Sequence, residues 1–561
     1  MRLLLIVLVF AYSPMVLRAE VRGAPDAGAL LQQLRPLMQP AASPGGSGLE
    51  PGLLLEQADG SRTALPLTDP ILVLRIRITG NTQFDTKTLL ALVAHAEGQA
   101  LTLAQLNDLA GLITKYYRSH GYPLSRAIIP AQTISSGLLR IEVIEARFGE
   151  IKLDNSSQVR DAMLQATLSN LHSGQAISQA ELDYVLLLLS DMAAITVNAK
   201  LRPGSQPGTS DLLVVTEPGP STSGNAVVDN SGDSYTGPIH MAGTFSVNNP
   251  LQRGDTLSLS VLSSGKGINF ARVSYESVLN GRGTRMGGSY SMLNYSLGGK
   301  ISSLQAHGSA QEKRLWLKQS LLRGTENNVY GQILYEGLKL RDHIDISQIQ
   351  TDRSLENWTL NLTGDMRDHF LNGSINNWGL AWTTGRVGFD DAAAQLANAA
   401  TASTQGRFSK WTVNLARLQG LSPGTTLYLK AAAQWANTNL DASQKFAPVG
   451  LSGVRAYDTG SISGDTGYLL SAEFRYALAQ GLHGQLHAVA FIDSAYVVIN
   501  KRPWVSGSNS ATLSGAGLGL NWAGPSQWSV RTTIATPLGS RPKLLGTARS
   551  LKALVEASRV F

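Results

Sequence analysis

Leu257-Ser258-Leu259-Ser260-Val261 alternates apolar and small polar side chains without a break, and this two-residue rhythm decides the fold. In a strand successive side chains point to opposite faces, so one face of such a segment is greasy and the other wet. The rhythm returns in Trp358-Thr359-Leu360-Asn361-Leu362, in Trp378-Gly379-Leu380-Ala381-Trp382, and at Leu427, Leu429, Ala431 and Ala433. From Pro218 to Phe561 helical spacing largely disappears. A soluble sandwich also alternates, so each segment alone is a weak signal and the repetition carries the weight. No run of about 18 apolar residues follows the N-terminus, so any membrane span has to be a barrel. Strands of roughly ten residues over 218–561 allow about 16 of them, arranged antiparallel. Trp358, Trp378, Trp382, Trp411 and Trp435, read as lying near strand ends, suit interfacial aromatic girdles.

Upstream the period changes. Over 71–217 strand patterns interleave with helical ones. Leu72, Leu74, Ile76 and Ile78 predict a strand closed by Gly80-Asn81. Helices are expected over Asp85–His95 and Leu103–His120, the second with Leu106, Leu109, Leu112, Ile113 and Tyr116 on one face, then strands Leu124–Ile129 and Leu138–Glu145. The order β-α-α-β-β repeats through Glu150–Leu153, Gln158–Leu168, Gln179–Met192, Ile195–Leu201 and Asp211–Thr216. Two tandem α/β units of about 75 residues, 71–147 and 148–217, fit this pattern.

At the front, Arg2, the apolar run Leu3–Phe10 and the small Ala19 read as a secretory signal peptide over 1–19, with Leu17 and Arg18 making an imperfect cleavage site. Residues 20–39 hold either a helix of two or three turns around Ala29–Leu37 or a disordered mature terminus. Residues 40–70 begin with the Pro-, Gly- and Ser-rich stretch Pro40–Gly60, a flexible or semi-extended tether.

Composition excludes several functions. The chain has no Cys, which removes disulfides and thiolate chemistry. Its 47 basic residues are scattered and leave a formal charge of +7, so nucleic acid is not an expected partner. No phosphate-binding G-x-x-x-x-G-K-[ST] loop, H-E-x-x-H pair or G-x-S-x-G elbow is present, and no enzyme, metal or cofactor is expected. His483 and His487 share a strand face but stand roughly 13 Å apart, too far for one ion.

More specific are Gly121-Tyr122, Ser125-Arg126-Ala127, Pro130-x-Gln132, Gly137-x-Leu139 and Val143-x-Glu145, in that order. Downstream come Asp229-Asn230, Gly232, Asn248-Asn249-Pro250-Leu251, Gly254-Asp255, the loop Gly453-Val454-Arg455-Ala456-Tyr457 and the strand Phe491-Ile492-Asp493. Together these resemble the two-partner secretion transporters of the TpsB family, with a plug helix, two POTRA domains and a barrel of about 16 strands. Ala456 and Ala495 stand where the family has Gly, which predicts a tighter fit if either backbone has positive φ. Glu145-Ala146-Arg147 departs similarly from a Glu-Gly pair.

Strand parity places Asp493 on the lumen side, opposite apolar Leu486, Ala488, Ala490 and Ile492. The resemblance implies that Arg455, with Gly453, Val454 and Tyr457 on an inward-folded sixth loop, meets Asp493 beside Phe491. Without it Arg455 is an ordinary solvated charge. It further implies an outer-membrane location with periplasmic POTRA domains, a large secreted exoprotein of adhesin, haemolysin or toxin type as partner, contact with outer-membrane lipid, and barrel assembly machinery during biogenesis. An unfolded partner suits β-augmentation at exposed sheet edges, and the candidate contacts are Leu124, Ser125, Arg126 and Ile128 with Leu103 and Leu106 of the adjoining helix. A barrel assembly factor of the same superfamily is the nearest rival; a passive porin or adhesin and a secreted hydrolase are more distant.

Overall fold

The computed structural model describes residues 25–35, the backbone of 52–55, and residues 70–134, 136–478, 484–540, 542–545 and 550–561. The expected signal peptide, Pro36 and Leu37, most of the tether, and His483 lie outside them.

Sixteen antiparallel strands close into a barrel. In chain order they are β10 (Thr222–Asp229), β11 (His240–Asn248), β12 (Thr256–Ser263), β13 (Ile268–Val278), β14 (Thr284–Ser296), β15 (Ala306–Arg323), β16 (Asn327–Ile344) and β17 (Ile349–Asp368). Then come β18 (Ser374–Phe389), β19 (Gly406–Ser422), β20 (Thr425–Ala436), β21 (Thr466–Ala477), β22 (Gln485–Val498), β23 (Ser510–Ala523), β24 (Trp528–Pro537) and β25 (Lys552–Val560), which pairs back onto β10. The alternation sorts as the pleat requires. Leu257, Leu259, Val261, Trp358, Leu360 and Ile492 are exposed on the outer wall, while Ser260, Asn357 and Asp493 are buried on the inner one.

Strands β15 to β19 run 16 to 20 residues. About 9–11 tilted residues cross a bilayer, so these strands extend beyond it. That overhang corrects the reading of Trp358, Trp378, Trp382 and Trp411 as strand-end residues, whereas Trp435 does stand next to last in β20. Trp358 lies midway along β17, ring centroid 5.1 Å from Tyr335, and Trp382, Trp411 and Trp435 stand in one register row across β18, β19 and β20.

The first α/β unit comprises β2 (Ile71–Val73), β3 (Arg75–Thr79), α2 (Thr86–Val93), β4 (Gln99–Leu101), α3 (Leu103–Ser119), β5 (Arg126–Ile128) and β6 (Leu138–Ile144). Its sheet runs β3-β6-β5, with β2 and β4 paired separately. The single strand expected over Leu72–Ile78 is broken: the amides of Leu74 and Arg75 both donate to Gly137 O, at 2.7 and 3.1 Å. Such a bulge inverts the facing, so Val73 is buried before it and Ile76 and Ile78 after it, while Leu72 and Leu74 are exposed. Helix α3 starts on a reciprocal capping box between Thr102 and Gln105.

The second unit comprises β7 (Arg147–Asn155), α4 (Asp161–Leu168), α5 (Gln179–Ser190), β8 (Ile195–Pro203) and β9 (Thr209–Pro218). Its sheet has the order β1-β8-β9-β7, where β1 is Gly52–Leu55 lying parallel to β8. Part of the segment expected to be a flexible tether is therefore a strand. The apolar run Leu53-Leu54-Leu55 meets a sheet edge whose main-chain groups need partners. This unit is also fastened to the barrel: Arg323 grips Asp191 at 2.8 and 2.9 Å, Tyr184 Oη donates to Arg282 O, and Val278 of β13 joins the unit's apolar core.

Candidate functional site: a plugged barrel lumen

The barrel interior holds helix α1 (Ala27–Leu34). It begins two residues earlier than the expected Ala29, because the Asp26 carboxylate caps it, accepting from Ala29 N at 2.8 Å. Leu30, Leu31 and Leu34 are buried in one cluster with wall residues Leu293, Leu338, Leu340 and Leu355. Gly28 faces the loop between β20 and β21, and a Cβ there would lie 2.9 Å from Ser443 N. Glycine inside a helix costs stability, and here close approach requires it.

Charge fastens both ends of the helix. The buried Arg353 of β17 reaches Asp26 at 2.6 Å, Asp342 of β16 at 2.5 Å and Asp441 of the β20–β21 loop at 2.6 Å. One guanidinium thus joins helix, wall and loop. At the other end Arg35 pairs with Glu336 at 2.6 Å and Glu312 at 3.0 Å, carboxylates also held by Arg314 and Arg272. Gln32 adds a hydrogen bond to Lys445 O in the same loop.

That loop carries the second cluster. Arg455 donates from Nη2 to Asp493 Oδ1 and from Nε to Asp493 Oδ2, both at 2.9 Å, and from Nη1 to Glu473 Oε2 at 2.6 Å. Its guanidinium carbon lies 3.4 Å from the centroid of the Phe491 ring. Ser471 Oγ donates to Asp493 Oδ1 at 2.7 Å. Val454 and Tyr457 are buried, and a Cβ on Gly453 would lie 2.3 Å from Pro448 O. The four loop residues and both wall residues singled out from sequence therefore meet in one place. Glu473 and Ser471 were missed, though the alternation Leu470, Ala472, Phe474 against Ser471, Glu473, Arg475 puts both on the lumen face. Ala456 and Ala495 have no positive φ, so neither strains the backbone. Room for the Ala456 methyl comes from Gly515, where a Cβ would lie 2.6 Å from Ala456 Cβ.

The six candidates in the first α/β unit separate. Leu106 is wholly buried in that unit's core and Ser125 is buried, so neither is free for a partner, while Leu124 is half-buried against the core of the second unit. Arg126 is exposed, and Leu103 and Ile128 are half-buried. Ile128 borders a groove of about 690 Å³ between α3 and β5, with Ala110, Gly111, Thr114, Lys115 and Arg118. Glu145 serves the unit from inside: it accepts from Thr82 N at 2.6 Å, Gln83 N at 2.8 Å and Tyr117 Oη at 2.8 Å. Burial pushes its carboxyl up, and these bonds more than offset that, holding it below the ordinary carboxylate value. Burial and the bond to Glu145 raise the Tyr117 phenol.

Residues 71–146 match the family model of the ShlB-type POTRA domain. Residues 208–522 match that of the haemolysin secretion/activation protein ShlB/FhaC/HecB. The chain belongs to this family. Members of the ShlB/FhaC/HecB family are outer-membrane transporters of two-partner secretion, each working with a secreted exoprotein, and this chain is such a transporter. Among relatives, the heme/hemopexin transporter protein HuxB of Haemophilus influenzae (strain 86-028NP) is 27% identical over 526 residues, 92% of each chain. The outer membrane transporter CdiB of Escherichia coli O6:K15:H31 (strain 536 / UPEC) is 25% identical over 464 residues, 80% of this chain and 76% of CdiB. In fold, a solved structure of CdiB from Escherichia coli superposes with a TM-score of 0.71 at 22% identity, covering 90% of this chain and 92% of that one. BamA from Haemophilus ducreyi lacking POTRA domains 1–3 gives 0.50 at 14% identity, over 88% and 100%.

Proposed function

We propose that this ShlB/FhaC/HecB-type transporter receives its exoprotein as an extended chain at the first POTRA domain and passes it through the lumen once helix α1 withdraws. The observation that carries this reading is the plugged lumen. Helix α1 is too short at eight residues to be stable alone, and it is held in the lumen by three buried leucines and by ion pairs at both ends. The Arg455 cluster keeps the β20–β21 loop against the inner wall, so the loop forms part of the passage. The groove between α3 and β5 is the entry point. Strand β5 lies at a sheet edge, although its Ala127 amide already donates to Thr114 Oγ1 at 2.9 Å. Main-chain pairing there supplies affinity for an unfolded segment, with the apolar floor selecting side chains.

The signal peptide over 1–19 sends the chain across the inner membrane, the POTRA domains at 71–147 and 148–217 face the periplasm, and barrel assembly machinery inserts residues 218–561 among outer-membrane lipid. Transport draws on folding of the partner beyond the membrane, since the chain has no nucleotide-binding loop. The test is reconstitution. Purified transporter in liposomes is offered the N-terminal domain of the exoprotein encoded beside it, and protease-protected uptake is measured. Absence of both binding and uptake would overturn the reading.

A further inference from the structure

We propose that the outer wall of the barrel carries a site for a zwitterionic glycerophospholipid of the phosphatidylethanolamine class, on the POTRA-proximal half between β17 and β22. A charge on the lipid face of a barrel is costly at the midplane and cheap near the interface, and Asp368, the last residue of β17, and Arg417 of β19 stand at that interface level, where headgroups lie. Arg417 is the register partner of outward-facing Leu429, and Asp368 shares the face of Trp358, Leu360 and Met366. They pair at 2.8 Å, and the remaining Arg417 donors go to Asn376 Oδ1 at 2.7 Å and to Gln419 Oε1 at 3.1 Å, so a phosphate would enter by taking the place of a side-chain oxygen.

Arg417 and Asn376 form one end of an open groove of about 710 Å³ whose remainder is mostly apolar. Trp378, Leu415, Leu470 and Ile492 form its walls, and Ala431 and Ala472, lacking larger side chains, leave its floor low. Leu415, Leu470 and Ile492 are each about half exposed, as a wall that only lipid covers should be. Beside the charged end the β17–β18 turn presents Phe370 and Leu371 outward, 65% and 62% exposed. Gln419 Nε2 pins this turn through Phe370 O at 2.8 Å and Gly373 O at 3.1 Å, and Asn372 Nδ2 donates to Leu421 O.

Charge order selects the headgroup. A carboxylate and a guanidinium side by side match an ammonium and a phosphate side by side, with the ammonium at Asp368 and the phosphate at Arg417 and Asn376. An anionic phosphatidylglycerol brings only the phosphate, which then meets the Asp368 charge uncompensated. A lipid bearing several phosphates needs several cations, and among the described residues Arg417 is the only cation whose outward side chain lines the groove. The acyl chain follows the apolar trough over Ala431 and Ala472.

Native mass spectrometry tests this on the full chain, delipidated in detergent and then offered equal amounts of palmitoyl-oleoyl phosphatidylethanolamine and phosphatidylglycerol. The wild type should retain one phosphatidylethanolamine with about tenfold preference. The double substitution Asp368→Asn with Arg417→Gln should abolish the preference, and Ala431→Trp, which fills the floor, should abolish retention of either lipid. Heat-modifiable gel mobility reports that each barrel is closed; if Ala431→Trp does not close, the charge variant decides alone. Equal retention of both lipids by the wild type, or unchanged retention by the charge variant, overturns the proposal.

Discussion

Two arginines lock the lumen, and they lock it differently. Arg455 ties a loop to the wall from which that loop springs: its carboxylate partners, Glu473 and Asp493, sit on adjacent strands β21 and β22, and Phe491 lies against the guanidinium. Arg353 reaches across three separate parts, the capping residue of a short helix, a strand and a loop. The first cluster has two acids, the second three. Buried ion pairs add little net stability, but removing one partner strands the others at about 3–5 kcal/mol. The comparison therefore separates a fixture from a catch. The loop is held by strands that belong to the wall itself, whereas Asp26 belongs to a helix that is no part of the wall and is held by side-chain contacts.

The sharpest way to break this contrast is Arg455→Ala. It strands Asp493 and Glu473 and frees the loop, and secretion of the partner into the medium should fall by about tenfold or more while the heat-shifted barrel band persists. Arg353→Met should act on the other lock. Conductance in planar bilayers should rise, as it should when Ala29 to Leu37 are deleted, because the helix no longer seals the lumen; unchanged conductance in both would dissolve the distinction. Gly28→Leu reaches the same end by volume alone, since the added side chain collides with Ser443.

Smaller effects sharpen it from outside the membrane. Glu145→Gln should cost the first POTRA domain about 1–3 kcal/mol, measured as a lowered melting transition, by leaving the Thr82 and Gln83 amides poorly satisfied. Because folding lowers the Glu145 pKa, its contribution is fully present above the ordinary carboxylate value of 4.5 and disappears as pH falls through the folded value. The acid sensitivity of this domain should shrink in the Gln variant. Ala456→Gly should change secretion least, with a stability loss of about 1 kcal/mol for the vacated methyl against Gly515.

Sequence reading succeeded where one rule acts locally. Parity alone put Asp493 inside and Ile492 outside, and it would have put Glu473 inside had that strand been read to its end. Parity failed at Leu74, where a bulge inverted the facing and no residue type announced it. Arg455 needed the family motif, because nothing local distinguishes an inward-folding loop charge from a solvated one. The partners of Arg353 were beyond reach: Asp26, Asp342 and Asp441 meet only after the barrel closes around the helix. Leu106 was read on the apolar face of its helix and that face turns into the unit's own core, while Ser125 precedes strand β5 and is buried there. Strand β1 was missed because its partner β8 lies far along the chain.

The seam between β10 and β25 has a kinetic side. Five register pairs, extended by reciprocal main-chain bonds between Gly224 and Phe561, close it, against eighteen pairs between β16 and β17, and it joins Asn225 to Val560, 335 positions apart by subtraction. Every other junction in the wall connects consecutive strands and can form by local zipping, but this one must search for a distant mate and gains few bonds on finding it. Until it does, β10 and β24 or β25 stand as bare edges in a greasy sheet, the condition that favours mispairing with other chains. Closure of this shortest ladder should therefore be the slowest event in making the pore, and a substitution that weakens those pairs should lengthen the lifetime of the open sheet more than it lowers the stability of the finished barrel.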